Sequence, residues 1–190
     1  MKARLVAAPG APARVSVRRD EAEFVTLVDA RDRVTGSCGK LDAHRSGRLH
    51  RAFSIVILNQ QDEFLLQRRA GQKYHFGGYW SNACCGHPRP GESKSAAARR
   101  RLNEELGIDV ALEKRTELRY RASDPVSGLI EHEYLHVYSG SFSGEPRPDP
   151  DEVDAWRWMS GARIRRAMDR HPDSFTPWFR LLIERISWPH

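Results

Sequence analysis

The chain reads as a single α+β domain with mixed β-structure flanked by helices. A length of 190 residues suits one sizeable hydrophobic core. Runs of β-branched and aromatic residues mark strands, and apolar stripes at helical spacing mark helices. The two kinds of segment mix without the regular alternation of a βαβ protein, which sets the class.

The domain is expected over residues 21–190, behind a disordered tail over 1–20 that is rich in Ala, Pro and Arg and has no periodicity. Residues 23–29 (EFVTLVD) form the first expected strand, with a turn at 33–36. Residues 52–58 (AFSIVIL) are a dense β-branched strand, ended by NQQD, and 63–68 (EFLLQR) pair with it as a hairpin. A glycine- and aromatic-rich loop at 74–80 leads to a short strand at 81–86. A helix is expected over 93–106, with Ala98, Leu102 and Leu106 as its apolar stripe and Gly107 at its C-terminus. Further strands are expected at 117–122, 131–138 and 155–159, then helices at 160–170 and 174–186.

Composition excludes some classes of function. No apolar run approaches the 18 or so residues of a membrane span, and a secretory h-region is missing. Three cysteines, two of them adjacent, do not make a disulfide framework, so a reducing, cytoplasmic setting is expected. The net charge of +6 misleads. Lys2, Arg4, Arg14, Arg18 and Arg19 all precede the first acid, Asp20, and the remainder is nearly neutral. That argues against a nucleic-acid footprint. Basic, acid-poor composition would also suit a transit peptide, but little Ser and no amphipathic period favour a plain tail.

The chemistry concentrates in residues 81–108, SNACCGHPRPGESKSAAARRRLNEELGI. Cys85 and His87 stand two apart, so on a strand they share a face. Glu131 and Glu133, in IEHEYLHV, do the same, and His44 and His50 lie ahead of the second strand. Three histidines and two glutamates would make a closed nitrogen-and-oxygen site for manganese, magnesium or zinc. Each residue alone is more often a surface group or a satisfied core group; together they converge on one pattern. Cys84, next to Cys85, should point to the opposite face as core.

The stretch from Gly86 to Ile108 resembles the Nudix signature: Gly86, Glu92, Arg100, Leu102, Glu104, Glu105, Gly107 and Ile108 fall in place. Arg101 departs from it, standing where the signature has a glutamate. The change removes a metal ligand and adds a cation for a phosphate, which favours gripping a diphosphate over hydrolysing it. SNACCGHP, RYRASDP, IEHEY and FTPWF extend the likeness over about residues 21–180 to the type 1 isopentenyl diphosphate isomerases, Nudix-fold enzymes that do not hydrolyse. The resemblance implies Cys85, Glu133, Tyr120 and Trp178 as catalytic residues. It implies His44, His50, His87, Glu131 and Glu133 as metal ligands, and Glu105 for a magnesium carried with the substrate. It places Lys40, Arg69, Lys73 and Arg101 on the diphosphate. A small isoprenoid diphosphate is then the expected partner.

These residue types suit the chemistry. Moving the double bond adds a proton at one carbon and removes one two carbons away, through a tertiary carbocation. An alkene is a very weak base, so the acid must be held close and aligned. The cation must be kept from water beside a π-face, worth about 2 kcal/mol when desolvated. A Nudix hydrolase of a nucleoside diphosphate derivative is the competing reading, but would have no need of Cys85, His44, His50 or Trp178. A non-catalytic binding module of the same fold would be expected to have lost metal ligands, and none of the five is missing.

Overall fold

The computed structural model describes residues 23–188; the expected tail over 1–20 lies outside them. The elements run β1 (Phe24–Val28), β2 (Val34–Gly39), α1 (Lys40–Ser46), β3 (His50–Leu58), β4 (Glu63–Arg69), β5 (Trp80–Ser81), β6 (Cys84–Gly86), α2 (Lys94–Leu106), β7 (Glu113–Ser123), β8 (Ile130–Ser141), β9 (Val153–Ser160), α3 (Gly161–Arg170) and α4 (Pro177–Arg185), with a 3₁₀ turn at Pro172–Ser174 between the last two. Among the described residues no helix is long and apolar enough to cross a membrane.

Strand β3 organises the molecule. It pairs in parallel with β8 over its whole length, and β7 lies antiparallel on the far side of β8. Its other edge takes β6, antiparallel over Phe53–Ile55. Because side chains alternate along a strand, Phe53, Ile55 and Ile57 join one core with Ala97, Ala98, Leu102 and Leu106 of α2. Ala52 and Val56 join a second core with Ile164, Met168, Phe179 and Leu182 of α3 and α4. Helices thus cover both faces, and a strand buried on both faces reads as one continuous apolar run. Full burial of each large side chain contributes roughly 1.5–3 kcal/mol.

The expected hairpin of β3 and β4 forms only at its turn end, where Leu58 opposes Phe64. Beyond that point the strands splay. β4 pairs with β9 along its length and with β5 at its end, while β3 goes to β8. The opening between the two wings is where a cleft can form.

Other expectations are corrected at their edges. Residues 33–36 are not a turn: Val34–Gly39 is β2, antiparallel to β1. The turn comes earlier, around Asp29–Asp32, and Asp32 takes a φ of 60° there. The short strand expected at 81–86 breaks into β5 and β6 around Asn82, whose amide donates to Ile55 O and Cys84 O. The last helix begins at Pro177 rather than 174, with the fixed φ of proline suiting a first helical position. Helix α2 starts where the sequence indicates: the Ser93 hydroxyl accepts from Ala96 N. It ends on Gly107 at φ 65°, the left-handed stop that glycine allows.

Candidate active site

Register brings the chemistry onto one face. On β8 the odd positions Leu135 and Val137 lie in the core under α3 and α4, so Glu131 and Glu133 continue the same face toward the strand's start. His50 sits opposite Glu133, and Glu133 opposite Tyr120 of β7. On the other edge of β3, Cys85 sits opposite Ser54. One face of four strands therefore carries an imidazole, a carboxyl and a phenol in one row, and a thiol four residues further along β3. Above it opens a cavity of about 1070 Å³, whose lining includes Lys40, Arg69, Lys73, Cys85, His87, Arg101, Glu105, Tyr120, Glu131, Glu133 and Trp178.

Ligating atoms of His44, His50, His87 and Glu131 lie within 4.8 Å of one another. Two of the imidazoles are oriented by backbone: His44 Nδ1 lies 2.6 Å from Lys40 O and His50 Nδ1 2.8 Å from Arg48 O. A proton on His50 Nδ1 leaves its Nε2 as a bare lone pair facing the cluster, whereas at His44 burial is outweighed by the Glu131 carboxylate, which raises the pKa of that imidazole in the absence of an ion. His50 Nε2 and His87 Nε2 approach to 3.2 Å. Glu133 Oε1 stands 3.1 Å from His87 Nε2 and 3.9 Å from His50 Nε2, which brings in the fifth expected ligand. His44 Nε2 and Glu131 Oε2, 3.2 Å apart, are buried without a hydrogen bond among the described residues. Convergent lone pairs and an unsatisfied carboxylate oxygen in a buried place are the donor set of a divalent ion. The residues fit one.

Electrostatics separate the groups. Burial, reinforced by His44, lowers the His50 pKa to about 4, and burial with His50 pushes His87 well down, so both are neutral donors. Burial works against the charge of Glu131, but His44 and His75 outweigh it and hold its carboxyl well below the usual range. Glu133 goes the other way. Burial, then the Glu131 charge, pushes it well up. The Tyr120 hydroxyl donates to Glu133 Oε2 at 2.7 Å, and burial followed by the Glu133 charge keeps that phenol protonated. Burial pushes the Cys85 thiol up to about 12, against the opposing pull of Ser54 and Asn82. Its Sγ lies 3.1 Å from Ser54 Oγ and 3.2 Å from Asn82 Nδ2. Cys85 is thus a held, protonated thiol rather than a thiolate. Cys84 packs on the opposite face with α2, as expected.

Trp178 lies over the Tyr120 end of this face. The FTPWF segment docks on β5: Thr176 N donates to Trp80 O at 2.9 Å, and the Thr176 and Ser81 hydroxyls are 3.0 Å apart. Trp178 Nε1 donates to Ser81 Oγ at 2.9 Å, which fixes the indole plane. Its ring lies 6.4 Å from the Tyr120 ring and 5.2 Å from Phe76, and the Arg69 guanidinium sits 5.5 Å from its centroid.

The far end of the cavity is ionic. Arg101 reaches Glu105 Oε1 at 2.6 Å and Glu152 Oε1 at 3.1 Å, and Lys73 also pairs with Glu152. Lys40 pairs with Glu23 at 2.8 Å. Glu105 Oε2 accepts from Gln67 at 3.2 Å. Glu105 therefore stands apart from the histidine cluster, among the cations. The signature's own pair, Glu92 and Arg100, closes at 2.8 Å and ties the loop after β6 to α2.

Three residues here were not found from sequence. Asn82 and Ser54 cradle the thiol; Ser54 had a signal, as a lone polar residue inside AFSIVIL. His75 pairs with Glu131, and a single histidine in an aromatic loop carries no spacing pattern.

The NUDIX domain profile matches residues 48–179. Isopentenyl-diphosphate Delta-isomerase 2 of Photorhabdus laumondii is 46% identical over 166 residues, covering 87% of this chain and 93% of that protein. Isopentenyl-diphosphate Delta-isomerase of Burkholderia multivorans is 48% identical over 167 residues, covering 88% and 94%. The crystal structure of DR0079 from Deinococcus radiodurans aligns with a TM-score of 0.71 at 21% identity, over 86% of this chain and 98% of that one, a likeness of fold.

Proposed function

The chain belongs to the isopentenyl-diphosphate Delta-isomerase family within the Nudix fold, and on that premise we propose how its residues carry the reaction. The protein interconverts isopentenyl diphosphate and dimethylallyl diphosphate. The observation that carries the assignment of roles is the strand face that bears Cys85, Glu133 and Tyr120 near Trp178, three proton-bearing groups and a π-face around one pocket.

Glu133, raised by burial and bonded to the Tyr120 hydroxyl, delivers a proton to the terminal alkene carbon. A C–H bond forms there, the π-bond breaks, and positive charge appears on the tertiary carbon. The Trp178 ring faces that charge, and the surrounding aromatic wall keeps water from capturing it. Loss of a proton from the carbon on the diphosphate side completes the new double bond. Cys85 is the partner for the second proton: this direction starts from the form in which the thiol has already lost its proton to solvent, so the thiolate takes the proton from carbon and ends as the thiol, with Sγ held in place by Ser54 and Asn82. In the reverse direction the two groups exchange duties.

His44, His50, His87, Glu131 and Glu133 would hold a divalent ion (manganese, magnesium or zinc), which would supply charge to orient and tune the Glu133 carboxyl. Lys40, Arg69, Lys73 and Arg101 grip the diphosphate, with Glu105 for a magnesium that arrives with it. Arg101 in place of a glutamate favours this grip over the hydrolysis typical of other Nudix-fold enzymes. Free Cys38, Cys84 and Cys85 suit a reducing compartment, so we assign the activity to cytoplasmic isoprenoid biosynthesis.

The test is incubation of metal-loaded protein with isopentenyl diphosphate in deuterium oxide, followed by NMR. Dimethylallyl diphosphate deuterated at the new methyl group is the expected product. Release of phosphate instead would assign a hydrolase.

A further inference from the structure

The loop between β4 and β5 carries a histidine that the five-ligand set does not use. His75 is 6% exposed, and its Nε2 contacts Glu131 Oε1 as an ion-pair partner. Its other ring nitrogen, Nδ1, is buried with no hydrogen-bond partner among the described residues. The ring proton is therefore assigned to Nε2, where a carboxylate oxygen accepts it. Glu131 has two oxygens, and they face different ways. Oε1 meets His75, while Oε2 lies 3.2 Å from His44 Nε2 inside the histidine cluster and has no hydrogen bond.

We propose that His75 is a positioning residue for the metal site: by holding Glu131 Oε1, it turns Oε2 toward the ion as a single-oxygen ligand. This deepens the reading given above and rests on it. Carboxylates that ligate metals are themselves held by hydrogen bonds, and losing such a partner typically costs 10–100-fold in affinity.

The loop is built to keep this ring still. The His75 ring packs 4.2 Å from Tyr74, 5.7 Å from Phe76 and 6.5 Å from Trp178. Its carbonyl accepts from Arg69 Nη2 at 3.3 Å, and the next amide, Phe76 N, donates to Asp124 Oδ2 at 3.3 Å. Phe76 has a φ of 47°, unusual for a residue with a side chain. A Cβ on Gly77 would meet Gly71 O at 2.6 Å, so the loop closes on itself at that point. The same loop presents Phe76 to the Trp178 ring, so one segment sets both the carboxylate and the aromatic wall.

The experiment measures Mn²⁺ affinity of the full chain after chelation and dialysis, reading free Mn²⁺ by EPR, with thermal unfolding of the metal-free protein alongside. His75→Met and His75→Phe remove the donor, and His75→Gln restores one. Expected are a 10–100-fold weaker affinity for the two non-donor variants and recovery of most of it in the Gln variant, with metal-free unfolding temperatures alike. Either non-donor variant suffices for the comparison if the other does not fold. Wild-type affinity in a non-donor variant, or equal loss with and without the donor, overturns the proposal while leaving the metal site standing. Failure of the unaltered protein to bind Mn²⁺ overturns both.

Discussion

At the scale of single residues, the pocket assigns opposite fates to groups that look alike in sequence. Glu131 and Glu133 are two apart on one strand face, yet histidines hold the first ionised while burial and its neighbour's charge push the second toward protonation. Cys85→Ala and Glu133→Gln should each lower kcat by about 10²–10⁴-fold, the usual contribution of a proton-transferring group, with circular dichroism unchanged; near-normal turnover would remove that residue from the mechanism. The thiol makes a second expectation. Only thiolate reacts with iodoacetamide, and a pKa of about 12 leaves little thiolate at neutrality. Alkylation of Cys85, followed by peptide mass spectrometry, should be slow at pH 7 and accelerate about tenfold for each pH unit through pH 10. A rate that levels off near pH 8.5 would mean the thiol is not held as described. Spacing alone marked the residues of this pocket that stand two apart, Cys85 with His87 and Glu131 with Glu133, while Tyr120 and Trp178 were expected only from the resemblance. Asn82 lies three residues from Cys85 but belongs to no repeating spacing, and His75 reaches Glu131 across the fold with no neighbour in sequence to announce it.

Among the elements, α2 and β3 were readable because each carries a single clear pattern. Ala98, Leu102 and Leu106 are all fully buried, and AFSIVIL is the central strand. Short elements escaped. Lys40–Ser46 offers only Leu41 and Ala43 to a core over seven residues, and Val34–Gly39 holds two glycines on a largely exposed strand, so their structure comes from the ladder and contacts they join. Splaying of β3 from β4 escaped as well, since pairing with β8 and β9 depends on segments about 80 to 100 residues away. The end of α2 offers a clean test. Gly107 has a φ of 65°, and a Cβ there would come within 3.0 Å of Arg147 Cβ. Gly107→Ala should cost about 1–2 kcal/mol and lower the melting temperature by roughly 2–8 °C. An unchanged midpoint in differential scanning calorimetry would show that the stop is not under conformational strain.

For the whole molecule, the site is a product of closure. His44 and His50 come from around the start of β3, His87 from just past β6, and the two glutamates from β8, so no segment of the unfolded chain gathers the donors. An ion that binds only the native arrangement stabilises it by mass action: at 100 times its Kd, about 2.7 kcal/mol. Saturating Mn²⁺ should therefore raise the midpoint of thermal unfolding by several degrees, and an unmoved midpoint would argue that the cluster is not a binding site. The parallel pairing of β3 with β8 also sets a schedule for biogenesis. Those strands are joined through about seventy residues, and such distant contacts are slow to form. During synthesis the three histidines leave the ribosome well before Glu131, so the nascent chain exposes imidazoles to any scavenging ion while the acidic half of the site does not yet exist.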